Sequence, residues 1–105
     1  MNIYAELGQI YYNAKNWDES LECYKCRLTL AKIQNDQLAK LDSLLQMSRS
    51  FNKKADHTMA IKVLEKAKSL AEILNAKKEL ALCYGYLREY DLATNNRKVC
   101  DNIHI

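Results

Sequence analysis

One arrangement of side chains occurs three times in these 105 residues. Tyr4-x-x-Leu7-Gly8-x-x-Tyr11, Leu44-x-x-Met47-Ser48-x-x-Phe51 and Leu80-Ala81-x-x-Tyr84 each lay large apolar, small and aromatic residues along one stripe at helical spacing. A second small residue follows each time, in Trp17-Asp18-Glu19-Ser20 before Tyr24, in Ala60 before Leu64 and Ala67, and in Tyr90-Asp91-Leu92-Ala93 before Cys100. Ser20 to Ala60 is 40 residues, and Ala60 to Ala93 is 33. A pattern returning at this period describes two-helix units, none of which buries its apolar stripe alone. Gly8, Ser48 and Ala81 on the first helices, and Ser20, Ala60 and Ala93 on the second, let two backbones approach closely. Tyr11, Phe51 and Tyr84 then fill the space beside that contact. A plain amphipathic bundle shares the apolar spacing, but it does not call for a small residue at the same place in every unit.

The composition agrees with an all-α chain. There is no Pro and there are two Gly, so the punctuation of a turn-rich β domain is missing. Leu, Ala, Lys, Glu and Gln, which lose little on entering a helix, are abundant. A single domain of this length buries roughly two-thirds of its unfolded surface. First helices are expected over Asn2–Asn13, Asp36–Asn52 and Ala76–Tyr86, and second helices over Trp17–Ile33, His57–Leu74 and Tyr90–Asn102. Asn16 with Glu19 has the form of a reciprocal N-terminal cap, Asp56 is placed to cap the fourth helix, and Asn35-Asp36 breaks the first unit from the second. The third turn, Tyr86-Leu87-Arg88-Glu89, holds no breaker, so one unbroken helix from Ala76 to Cys100 is the alternative there.

With these residues in place, the whole chain resembles the tetratricopeptide repeat (TPR) family, in units of about 1–35, 36–74 and 75–105. Arg27 stands where a small residue is usual and Arg97 where a large apolar one is. The closing Pro of the pattern is absent. The stretch from Leu28 to Ala39 is similar to a longer-period subgroup that includes the LGN and Pins spindle scaffolds, rapsyn and kinesin light chain, from which the 33-residue step departs. The resemblance implies a right-handed α-solenoid of about three helix hairpins whose first helices line a concave groove for a partner peptide or helix. Mapped onto this chain, the groove is expected to hold Ala5, Gln9, Tyr12 and Asn13, then Leu45, Gln46, Arg49, Asn52 and Lys53, then Lys78, Glu79, Leu82 and Tyr86. Amides there can pair with a peptide backbone, and Tyr rings offer apolar area with a polar tip. The carboxylate clamp of co-chaperone relatives is not expected. Its places are taken by Ala5, Gln9, Gln46, Asn75 and Glu79, and the Glu79 charge would repel the ligand.

Other function classes find little footing. The net charge is +3 with no run of five like charges, so nucleic acid is not expected as a partner, and no apolar stretch approaches the length that crosses a bilayer, so a membrane is not expected either. Phosphate loops, H-E-x-x-H and G-x-S-x-G are absent from the sequence, so it reads as non-enzymatic, with no catalytic residue, cofactor or metal. Asp18, Glu19 and Asp42 read as first-turn or surface charges, and His57 and His104 as solvent-facing. Four Cys without a secretory leader point to reduced thiols in the cytoplasm or nucleus. Cys23-x-x-Cys26, flanked by Lys25 and Arg27, keeps open a redox- or metal-responsive alternative, in which Cys83, Cys100, His57 and His104 would complete a zinc site. A purely architectural role inside a larger repeat assembly is the third reading. Met1 almost inside a helix, with apolar Val99, Ile103 and Ile105 at the exit, suggests a segment of a longer array, or self-association through open repeat ends.

Overall fold

The computed structural model describes the backbone of residues 3–103 and the side chains of residues 3–92. Five helices follow one another through those residues: α1 (Ile3–Asn13), α2 (Trp17–Gln34), α3 (Gln37–Lys53), α4 (His57–Leu74) and α5 (Lys77–Ile103), with no strand among them. Each helix packs on the next, and α3 also touches α5. The first four begin and end within one residue of the expected bounds.

Local chemistry sets the ends. Asp36 and Asp56 accept hydrogen bonds from the backbone N–H of Ala39 and Met59, at 3.1 and 3.2 Å, and so cap α3 and α4. Asn16 precedes α2, but its side chain makes no capping bond, contrary to the expected reciprocal cap. Helices α2 and α4 close on Asn35 and Asn75 at φ 54° and 55°, the left-handed conformation Asn tolerates. The α1–α2 and α3–α4 turns instead place Lys15 and Ala55 there, at φ 64° and 66°. For residues with an ordinary Cβ, that conformation costs roughly 1–2 kcal/mol each.

Close approach explains the small residues of the first two units. Gly8 is buried, and a Cβ on it would lie 2.7 Å from the Tyr24 ring. Ser20 is fully buried and donates to the Gly8 carbonyl at 2.8 Å, with the Ser50 hydroxyl 3.4 Å away. Ser48 and Ala60 are also fully buried. Around them Leu21, Tyr24, Leu41, Leu44, Leu45, Met47, Phe51, Val63, Leu64, Ala67, Ala71, Cys83 and Tyr90 form one continuous core.

The third unit departs from the expected hairpin. Residues 86–89 stay helical, so the helices expected over Ala76–Tyr86 and Tyr90–Asn102 are one helix, α5. Nothing in that turn favours a left-handed residue, while Tyr86, Leu87 and Tyr90 continue the stripe that packs on the core. With no second helix folded over them, Ala81 is exposed and Tyr84 is 52% exposed, correcting their expected burial. The side chains of Ala93, Arg97, Val99, Cys100 and Ile103 lie outside the described residues, as do Met1, His104 and Ile105.

Gly85 sits inside α5 with open space around the position of its missing Cβ. Gly85→Ala is therefore expected to stabilise the chain by roughly 0.5–1 kcal/mol, because Ala loses less backbone freedom on entering a helix. Urea unfolding in dilute solution checks it. A destabilised variant would mean that α5 bends at this point.

Candidate functional site

Three alternate helices converge on one cleft. Tyr12 from α1, Arg49, Asn52 and Lys53 from α3, and Tyr86, Glu89 and Tyr90 from α5 line a cavity of about 190 Å³. Arg49 is its centre. The half-buried guanidinium lies over the Tyr12 ring, 4.7 Å from the centroid, where the ring's negative face attracts it. Its Nη2 donates to the Tyr12 hydroxyl at 3.4 Å and its Nη1 to Gln46 Oε1 at 2.9 Å. Trp17 meets the Tyr12 ring edge-on, with centroids 5.2 Å apart. Among the described residues Arg49 has no carboxylate partner, unlike Arg27, which pairs with Asp42, and Lys54, which pairs with Asp18.

The far wall is aromatic. Tyr86 and Tyr90 stack nearly parallel, with centroids 6.1 Å apart and an interplanar angle of 6°. Burial pushes the Tyr90 hydroxyl up to about 12, against the opposing pull of its hydrogen bond with Ser48. That hydroxyl therefore stays protonated at neutral pH, a fixed dipole of the cleft wall. Asn52 Oδ1 lies 2.8 Å from His57 Nδ1, and His57 is half-buried beside it rather than facing solvent. The amide's two N–H donors remain for a ligand.

Five expected groove residues thus come together: Tyr12, Arg49, Asn52, Lys53 and Tyr86, with Gln46 held just behind Arg49. Others lie elsewhere. Gln9 and Asn13 bond each other at 2.9 Å on the exposed face of α1. Lys78 and Leu82 are exposed on α5 but do not line the cleft, and Glu79 is half-buried. Ala5 is half-buried and accepts from the Tyr24 hydroxyl at 3.5 Å. Leu45 belongs to the core, one helical turn from Leu41 on the same face. Asn75 is the left-handed residue that ends α4, not a groove position. Glu89 and Tyr90 were missed because residues 86–89 were expected to turn. In an unbroken helix, residues 86, 89 and 90 share a face.

The cysteine pair offers different chemistry. Cys23 and Cys26 lie inside α2, half-buried and exposed respectively, and Cys83 is buried in the core. Burial, then the neighbouring Cys26 thiol and Glu22, raise the Cys23 thiol above its ordinary value. A raised thiol stays protonated at neutral pH and is a poor nucleophile, so the flanking Lys25 and Arg27 do not activate it. No group of three or more His, Cys, Asp or Glu among the described residues is placed to hold a metal ion. Among the same residues, no helix is long and apolar enough to cross a membrane.

Compared with protein-family models, with curated proteins and with solved structures, the chain matches none. The cleft itself must carry the reading. It holds two cationic side chains, one carboxylate, an amide and three Tyr rings.

Proposed function

We propose that the chain is a right-handed solenoid of TPR-like helix pairs. It binds a peptide or helix of a partner protein on its concave face as a non-enzymatic scaffold in the cytoplasm or nucleus. One observation supports this most. Five residues that the family resemblance assigns to the groove, drawn from α1, α3 and α5, line a single cleft. In the proposed architecture those helices are the first members of successive units, and the third unit supplies only its first helix. Binding is non-covalent. Arg49, fixed on Tyr12 without an acidic partner among the described residues, presents spare N–H donors. Lys53 adds charge, and Tyr86, stacked on the buried Tyr90, adds apolar area.

The test uses peptides selected from a displayed random library against the full chain. Arg49→Glu is expected to weaken the selected peptides at least about tenfold, equivalent to about 1.4 kcal/mol, with an unchanged helical circular dichroism spectrum. Selected peptides that bind this variant as tightly as the wild type would remove the cleft from the reading.

A further inference from the structure

The outward face of α5 is uncovered. Leu82 and Leu92 are 41% and 51% exposed there, on either side of Gly85 and the open space beside it. The corresponding places in the first two units are closed. Gly8 is buried against Ser20 and Tyr24 of α2, and Ser48 is fully buried, whereas Ala81 is exposed. The chain's own residues beyond 90 do not turn back onto this face while Tyr90 keeps its position. That side chain is 2% exposed, stacked on Tyr86 and bonded to Ser48. Running straight through Arg88 and Glu89 also avoids the left-handed residue that both closed turns require at Lys15 and Ala55.

We propose that α5 pairs antiparallel with α5 of a second copy of this chain, so that each copy's segment after Tyr90 covers the other's open face. The occupant follows from the sequence register. Ala93 follows Ala81 by the same 12 residues that separate Ser20 from Gly8. The segment that would close the unit is therefore present in the chain as the straight continuation of α5, and does not fold back over residues 77–86. Exchange between copies satisfies both helices through an isologous two-fold contact. In that register residue 81 meets residue 93 of the second copy, Leu82 meets Leu92 of the second copy, and Gly85 lets the backbones come close near the crossing. Glu89, which also lines the cleft, lies on this face between Leu82 and Leu92.

Sedimentation equilibrium of the full chain is expected to show a concentration-dependent rise from 12.2 kDa to twice that mass. Leu92→Glu should hold the mass at 12.2 kDa with an unchanged circular dichroism spectrum, since Leu92 is exposed within the single chain. A Leu82→Cys/Leu92→Cys chain reports the register. Within one straight helix the two positions are about 15 Å apart, too far for a disulfide. Air oxidation is then expected to yield a double-mass species, with an 82–92 linked peptide identified by mass spectrometry apart from the native cysteines. A wild-type mass of 12.2 kDa at every concentration overturns the proposal, as does a Leu92→Glu dimer. An 82–92 disulfide inside a single chain also overturns it, because the segment would then close on its own α5.

Discussion

Leu64→Ala is expected to lower the unfolding free energy by about 2–5 kcal/mol, the range for removing a fully buried Leu and leaving a cavity. Leu64 is 0% exposed and lies in the middle of α4, the helix that packs against both α3 and α5. Domains of this size are stable by about 5–15 kcal/mol, so the loss is a large fraction of the total. The melting temperature should fall by roughly 10 °C or more. Ile73, 79% exposed on the same helix, supplies the control. Ile73→Ala should stay within about 0.5 kcal/mol of the wild type. Equal melting curves for the two variants would mean that α4 does not sit between α3 and α5, and the order of the stack would fall.

Where the chain could be read from its residues, the reason is that local signals and packing agree. Asp56 caps as expected, because a carboxylate one position before a helix faces free N–H groups, and Asp36, expected as the first helical residue, caps α3 in the same way. Gly8, Ser20, Ser48 and Ala60 are buried because only small side chains fit where two helices nest, and that need is visible as a recurring place in the sequence. Residues 86–89 were harder. A helix continues unless something stops it, and what stops α1 and α3 is a strained turn at Lys15 and Ala55 that no residue type announces. The same spacing that reads as a third hairpin is compatible with one helix, and packing of Tyr86, Leu87 and Tyr90 on the core decides for the latter. The cleft was legible in part for the same reason. Tyr12, Arg49, Asn52, Lys53 and Tyr86 were expected from the family resemblance, whereas Glu89 and Tyr90 were hidden by an expected turn that does not form. The Tyr12–Arg49 contact joins residues 37 positions apart and is set by tertiary geometry alone.

Enlarging Ala60 tests the nesting itself. Ala60→Leu adds three carbons at a fully buried place in the first turn of α4, the place that Ser20 occupies in α2 at 2.8 Å from the Gly8 carbonyl. Burying more apolar surface would help only if there were room, and a residue with no exposed surface in a close-packed interior has none. The helices must part or the side chain must leave its preferred rotamer, at a cost of about 1–3 kcal/mol. That corresponds to a fall of roughly 4–20 °C in melting temperature. The informative comparison is Ala81→Leu in dilute solution, where the chain is a monomer. Ala81 occupies a small-residue place of the same repeat pattern, but it is exposed on α5 and should tolerate the larger side chain within about 0.5 kcal/mol. A plain amphipathic bundle predicts no such division between two alanines of one pattern. If Ala60→Leu melts with the wild type, α3 and α4 are not nested through small side chains, and the proposed repeat architecture fails with its groove.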